Sequence, residues 1–270
     1  MKSEIIEGII SNATDRRKFL QRVGVTGAGV AAATMVGGSL TMATAATTAV
    51  ITDVDILNFA LNLEYLEAEF YSVATYGSTL VQLGVISASD ETGPTTGGNM
   101  VPNFGKSPLA FLATALRVDE IKHVKFLRAA LGSAAVKKPA INLDALGYGY
   151  SDMDSFLKLS RQFEDVGVSA YLGATPLITS KTYLKAAAAI MDTEGQHSGS
   201  IRLSCILNNV TSPAVDSKDV PPTSQTPYCV DGNALSIPRT PSQVLKIVYA
   251  GGSCSGGFYP NGMNGKIKCA

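Results

Sequence analysis

The two histidines of this chain, His123 and His197, each follow a glutamate by three residues. The sequence holds nine glutamates among 270 residues, so random placement would give both histidines this spacing roughly once in a thousand sequences, too rarely for a chance match. On an α-helix, positions i and i+3 share one face, and a carboxylate and an imidazole there can converge on one cation. The pairs Glu120/His123 and Glu194/His197 therefore predict two helices that carry metal ligands.

A second matched pair of residues stands upstream of each Glu-x-x-His motif. Glu64 precedes Tyr71 by seven residues, and Glu164 precedes Tyr171 by the same interval. Seven residues make almost two helical turns, so each glutamate shares a helix face with its tyrosine, and both glutamates fall on the apolar stripe. Because a carboxylate buried without a partner costs several kcal/mol even after relaxation, four such groups facing one core predict bound divalent cations.

The apolar periodicity predicts an all-α protein built on four long helices. We expect these helices over residues 52–76, 107–131, 151–175 and 180–208, with Ser107 and Pro108 as the N-cap and first helical residue of the second. A long loop, residues 77–106 with short strand pieces, separates the first two helices, and a long connection, residues 133–150, separates the second from the third. Long antiparallel helices joined in this way are typical of a four-helix bundle with one crossover.

The domain boundaries follow from composition. We expect the bundle to occupy residues 46–212 and a loop-rich C-terminal extension, residues 213–270, to pack on it. Within the extension, Thr240, Pro241 and Gln243 form the pattern of a capping box with proline at the first helical position, which predicts a short helix ending at Val248.

The chain therefore repeats one helical hairpin: glutamate with tyrosine on the first helix, Glu-x-x-His on the second. Arg128 and Arg202 extend the repeat, since each follows its histidine by five residues. We expect these arginines at the surface or at helix ends. One glutamate from each of two helices and Glu-x-x-His from each of the other two is the ligand set of ferritin-like di-iron and di-manganese proteins.

The chain resembles the ferritin-like domain family of exported bacterial proteins, which includes desiccation- and stress-associated members. The resemblance covers roughly residues 52–248 and rests on Leu63–Tyr71, Asp119–His123, Glu164–Tyr171 and Glu194–His197. It implies a two-metal site whose ligands are Glu64, Glu120, His123, Glu164, Glu194 and His197. By the same resemblance, Glu120 and Glu194 bridge both metal ions.

Two further glutamates lie close to the first expected ligand. We expect Glu67 and Glu69 on the solvated face of their helix, although Glu67, one turn from Glu64, could replace it as a ligand. For Tyr71 and Tyr171, a hydrogen bond to a carboxylate ligand and an ordinary place in the core are equally good interpretations.

Mixed imidazole and carboxylate ligation favours iron, then manganese, with zinc as a further candidate. Our leading hypothesis is a di-iron centre that reacts with dioxygen or peroxide, in iron oxidation or in protection against oxidative or desiccation stress. A manganese catalase-like enzyme and a non-catalytic metal-binding protein of the cell envelope are the alternatives. The sequence thus leaves both the enzymatic activity and the oligomeric state open.

The N-terminus resembles a twin-arginine export signal, residues 1–45. Arg16 and Arg17 precede a weakly apolar, glycine-rich run, and Ala43-Thr44-Ala45 supplies small residues for cleavage. An N-terminal membrane anchor is the alternative, but the glycine-interrupted run makes a poor spanning helix. We expect a periplasmic or secreted protein, without a membrane span once the signal is removed.

The charge balance limits the kinds of binding partner, and the cysteines limit the possible cross-links. Twenty-two basic residues balance 22 acidic ones, and no basic cluster follows the N-terminal segment, so we expect no nucleic-acid partner. An oxidising compartment would permit two disulfides, in any of three connectivities, among the four cysteines. These are Cys205, Cys229, Cys254 and Cys269.

Overall fold

The computed structural model describes residues 50–103, 105, 107 and 109–270. The expected export signal lies outside the described residues, and so does Pro108. Among the helices of the described ranges, none is long and apolar enough to cross a membrane.

Four long helices and one short helix form at nearly the expected places. They are α1 (Asp53–Tyr76), α2 (Ala110–Leu131), α3 (Met153–Ala174), α4 (Lys181–Leu207) and α5 (Pro241–Val248). Single turns of 3₁₀-helix cover Ala88–Asp90, Gly132–Ala134 and Thr175–Leu177. The second helix begins two residues later than expected, after a turn in which the Ser107 carbonyl accepts a hydrogen bond from the amide of Ala110.

Polar side chains at the helix starts explain these boundaries. Thr52 and Asp55 form a reciprocal capping box at the start of α1, and Thr240 does the same with Gln243 at the start of α5. Such caps satisfy amide groups that have no partner within the helix. Gly77 ends α1 in the left-handed conformation, with φ of 68°, which glycine adopts without steric cost.

The helices pack as two hairpins, α1 with α2 and α3 with α4, and α1 also contacts α3. The tyrosine hydroxyl of Tyr71 on α1 reaches Glu164 on α3, while Tyr171 on α3 reaches Glu64 on α1. These pairings run in opposite order along the two helices, so α1 and α3 are antiparallel.

The two long connections meet in a two-residue parallel sheet. Strand β1 (Thr95–Thr96) pairs with strand β2 (Ile141–Asn142). Beside the sheet, the buried Lys138 ammonium lies 3.1 Å from Glu91 and 3.8 Å from Glu69. This lysine therefore ties the α1–α2 connection to the α2–α3 connection.

The C-terminal extension packs directly on α1 and α3. The hydroxyl of Tyr259 donates to the carbonyl of Asn62 at 2.8 Å, and the amide of Arg239 donates to the carbonyl of Ser169 at 3.0 Å. A Cβ at Gly173 would lie 1.9 Å from the carbonyl oxygen of Arg239, so only glycine permits this approach.

Within the described residues, one disulfide forms, Cys254–Cys269, while Cys205 and Cys229 are unpaired. One of the two disulfides that an oxidising compartment would permit is therefore present. Cys205 lies fully buried on α4, where its thiol donates to the Leu157 carbonyl at 3.7 Å, so it belongs to the bundle core and not to a cross-link.

Burial differs between the helices. Every side chain of α1 from Asp55 to Ala74 is buried, because α2, α3, the α1–α2 connection and the C-terminal extension surround it. In α2 only one stripe is buried, including Leu116, Glu120 and Val124. Glu64 is thus buried because α1 is enclosed, and Glu120 because it lies on the buried stripe of α2.

Candidate metal centre

The structure brings all six predicted side chains together. Their donor atoms form two groups, each with its atoms within 4.8 Å of one another. The first group is Glu64, Glu120, His123 and Glu194, and the second is Glu120, Glu164, Glu194 and His197. Glu120 and Glu194 belong to both groups, which is the position expected of bridging carboxylates.

His123 Nδ1 faces three carboxylates at the same distance. It lies 3.2 Å from Glu64 Oε2, from Glu120 Oε2 and from Glu194 Oε1. A neutral imidazole carries one N–H, so it cannot donate to three acceptors at once. The convergence of one nitrogen and three oxygens is instead the arrangement in which a cation is bound.

His197 faces the second group. Its Nδ1 lies 2.9 Å from Glu120 Oε1 and 3.4 Å from Glu164 Oε2. The two oxygens of Glu120 thus face different histidines, whose ring centroids are 6.1 Å apart. On the outer side of the ring, His197 Nε2 lies 3.6 Å from Asp119 Oδ2.

Several buried atoms of the centre lack hydrogen-bond partners. They are Glu64 Oε2, Glu120 Oε1, Glu164 Oε2, both carboxylate oxygens of Glu194, and His197 Nδ1. A buried polar atom without a partner costs about 1–3 kcal/mol, and more when it is charged. Because these atoms surround the points where the two groups converge, the donor set fits two metal ions.

The two tyrosines hold the remaining oxygens of Glu64 and Glu164. Tyr171 donates its hydroxyl to Glu64 Oε1, and Tyr71 donates to Glu164 Oε1. Each tyrosine thus contacts the glutamate of the opposite hairpin, although each shares a helix face with its own. The other oxygen of each glutamate, Oε2, faces a histidine and is left for a metal ion.

The electrostatics of the metal-free centre show how strongly its charges interact. Burial raises the pKa of Glu120 to about 7, although His123 and His197 act against it. Burial lowers the pKa of His197, but Glu120 and Glu164 outweigh that effect and raise it to about 11. Without a cation, the centre therefore retains protons that metal ions would displace.

The expectation that Glu67 and Glu69 lie on a solvated face is wrong. Their side chains are 4% and 0% exposed, because α1 is enclosed on all sides. Glu69 accepts a hydrogen bond from the amide of Leu80 and faces Lys138, so it holds the α1–α2 connection. Burial, followed by the charge of Glu194, raises the pKa of Glu67 well above its ordinary value.

Arg202 also departs from its expected place at the surface. It is 1% exposed, and it lies 2.6 Å from Asp165, which also accepts a hydrogen bond from Ser198 at 2.6 Å. Arg128 is one-quarter exposed and donates to the hydroxyl of Tyr65. Sequence reasoning missed Asp165; its i, i+4 spacing from Arg161 was the available signal.

A third group of donor atoms contains Asp165, Asp219 and Cys229. Its carboxylates already have cationic partners: Asp165 pairs with Arg202, and Asp219 pairs with Arg161 at 2.6 Å. The group is therefore a buried ion-pair network.

The bundle and its carboxylate–histidine centre define a ferritin-like protein. The model of the ferritin-like domain family matches residues 52–206, more than half of the chain, and the chain belongs to that family. The predicted all-α ferritin-like fold is thereby confirmed. The chain is also similar to the ferritin-like catalase Nec2 of Nesocodon mauritianus, at 24% identity over 268 residues, covering 80% of this chain and 84% of that protein. The similarity to ferritin-like proteins and the two groups of carboxylate and histidine donor atoms together indicate a metal-ion cofactor.

Proposed function

We propose that this protein binds two redox-active metal ions and uses them to consume hydrogen peroxide. The observation that carries the proposal is the sharing of Glu120 and Glu194 by both groups of donor atoms. Sharing makes one dinuclear centre out of two mononuclear ones. The similarity to a protein named as a catalase favours peroxide as the substrate.

The hydrogen bonds of the carboxylates assign their roles. Glu64 and Glu164 each give one oxygen to a tyrosine, so each has one oxygen left and serves as a terminal ligand. Both oxygens of Glu194 lack partners, and the two oxygens of Glu120 face different histidines, as bridging requires. His123 and His197 complete the two halves.

Six ligands without a thiolate suit iron or manganese, and we propose iron as the first candidate. When bound, such a pair can accept two electrons from one peroxide and return them to another. Zinc has no redox chemistry, so a zinc-loaded centre would not perform this reaction.

The reaction is a dismutation. One peroxide loses two electrons and two protons to become dioxygen, and a second takes up both to become two waters. The chain's part is to shield the centre from larger molecules: the four glutamate ligands are fully buried, and the side chains of His123 and His197 are 12% and 7% exposed. A centre buried to this extent is accessible only to small molecules.

The test is dioxygen evolution from protein loaded with a single metal. The metal-free protein is divided and loaded with Mn(II), Fe(II) or Zn(II), metal content is measured, and peroxide is added in an oxygen-electrode cell. We expect two ions per chain and dioxygen evolution with manganese or iron but not zinc. Two bound redox-active ions without peroxide consumption would overturn the proposal.

Oxidation of Fe(II) by dioxygen is the second candidate, because the excess of carboxylates over imidazoles favours the ferric state. Rapid mixing of Fe(II)-loaded protein with dioxygen should then give an absorption band of the diferric centre. If the same protein evolves dioxygen from peroxide and reacts slowly with dioxygen, peroxide is the substrate.

A non-catalytic role is tested with variants that lack the shared ligands. If the Glu120→Gln and Glu194→Gln variants still protect cells from stress, the protein's role is non-catalytic.

We further propose that the protein is exported by the twin-arginine pathway to the periplasm or the medium. The support is the arginine pair, Arg16 and Arg17, before the apolar run. Replacing both arginines with lysine should retain the protein in the cytoplasm, as measured by cell fractionation. Unchanged export of this variant would contradict the pathway.

A further inference from the structure

The two hairpins differ at one position beside the centre. Three residues after Glu64 the chain has Glu67, whereas three residues after Glu164 it has Gly167. Positions i and i+3 lie on neighbouring parts of one helix face, so both residues border the site. One hairpin thus offers an additional carboxylate where the other offers no side chain.

The glycine leaves the space that the carboxylate occupies. A Cβ built on Gly167 would lie 3.2 Å from Glu67 Oε1 and 3.0 Å from Glu194 Oε2. Both contacts are closer than ordinary van der Waals distance. The carboxylates of Glu67 and Glu194 therefore converge on the same gap, from α1 and α4 respectively.

Among the described residues, no cation or hydrogen-bond donor compensates the burial of Glu67. Its side chain is 4% exposed, and within the described part of the chain it makes no hydrogen bond or ion pair. The buried Glu69, two residues on, has both Leu80 and Lys138 as partners. Both oxygens of the neighbouring Glu194 are also without hydrogen-bond partners.

We propose that Glu67, whose carboxylate lies in the space left by Gly167 and outside the two groups of donor atoms, turns toward one of the two metal ions and binds it as a seventh protein ligand of the dinuclear centre. The proposal rests on the proposed function only in that it requires metal binding. Five carboxylates would carry one negative charge more than two divalent ions neutralise. Glu67 therefore makes the two metal positions inequivalent and favours the loss of one electron from the ion it binds.

The first test measures metal affinity by chelator competition and metal analysis in the full protein. In Glu67→Gln, we expect one of the two ions to bind more than about 100-fold more weakly, beyond the range for residues outside the ligand set, with the other unchanged. Glu69→Gln is the matched control, because it removes a buried carboxylate of the same helix that faces Lys138, and it should bind both ions as the unmodified protein does.

Redox titration with electron paramagnetic resonance gives a readout that a structural role would not change. Glu67→Gln should make the first one-electron oxidation of the metal pair harder and lower the yield of the mixed-valent signal, whereas Glu69→Gln should do neither. Glu67→Ala removes the carboxylate without leaving a buried amide and should act in the same direction. It decides the question if Glu67→Gln fails to fold.

The outcomes separate the inference from the proposed function. If a folded Glu67→Gln or Glu67→Ala variant binds both ions and titrates like the unmodified protein, Glu67 is not a ligand. If the unmodified protein binds no metal, the proposed function fails as well. If it binds two ions and leaves peroxide intact while Glu67→Gln still loses one, only the proposed reaction fails.

Discussion

The α1–α2 and α3–α4 hairpins are alike at the metal centre and different around it. Both supply one glutamate, one tyrosine and one Glu-x-x-His motif in the same order. Arg128 of the first hairpin contacts Tyr65, and Arg202 of the second contacts Asp165, so equivalent positions interact through different chemistry. Arg202 is fully buried, whereas Arg128 is one-quarter exposed.

The difference comes from the segments that cover each hairpin. Arg202 donates to the carbonyls of Pro227, Val220 and Thr226 in the C-terminal extension, whereas Arg128 pairs at 3.0 Å with Asp90 in the α1–α2 connection. The proposed pair of metal ions would require matched ligands, which accounts for the agreement between the inner residues of the repeat. The outer residues contact unrelated segments and have no such constraint.

The largest expected effect tests the equivalence of the two bridging glutamates. Because each is shared, Glu120→Gln and Glu194→Gln should each weaken the binding of both metal ions, by more than about 100-fold, beyond the range for residues outside the ligand set. Metal analysis after dialysis measures this, with Asp192→Asn, an exposed carboxylate on α4, as the control. Loss of a single ion in either variant would show that the hairpins do not share their ligands.

The next effect separates the outer layers of the two hairpins. Arg202→Met leaves Asp165 buried beside a smaller set of partners and should lower the free energy of unfolding by about 3–5 kcal/mol. Arg128→Met removes a partly exposed pair and should cost about 1 kcal/mol or less. Urea unfolding of the metal-free variants compares them, and equal losses would contradict the assigned difference in burial.

The tyrosines should give matched effects in the two hairpins. Tyr71→Phe and Tyr171→Phe each free an oxygen of a terminal glutamate ligand and should lower metal affinity by about tenfold. Tyr148→Phe, which loses a hydrogen bond to Gln162 away from the centre, should leave metal affinity unchanged. A large loss of metal affinity in only one of the two tyrosine variants would show that the two hairpins rely on their tyrosines to different extents.

The smallest expected effect is the pH dependence of metal affinity, which reflects the protons released when the ions bind. In the metal-free centre the pKa of Glu120 is raised to about 7 and that of His197 to about 11, so both bind protons near neutral pH. Metal ions require the deprotonated forms, hence affinity should rise with pH and binding at pH 7 should release roughly one to three protons. Calorimetry in buffers of different ionisation enthalpy measures the release. A binding enthalpy that does not depend on the buffer would contradict this prediction.

Much of the fold and all six residues of the candidate centre could be predicted from the sequence. Thr52, Asp152, Ser180 and Thr240 cap their helices within one turn, a local effect that sequence patterns can register, whereas α2 does not begin after its expected cap, Ser107. Whether the six residues bind metal stays a prediction. The places of Glu67, Glu69 and Arg202 could not be predicted, since their burial depends on segments distant in the sequence.

The sequence by itself determined which side chains share a helix face, because the helical period fixes the spacing of Glu120 with His123 and of Glu194 with His197. It could not determine what covers the opposite face of a helix. Only the tertiary structure decided that Tyr71 contacts Glu164 across the bundle and that Gly167 makes room for Glu67. The physical reason is that periodicity describes one helix at a time, whereas packing sets register and burial between helices.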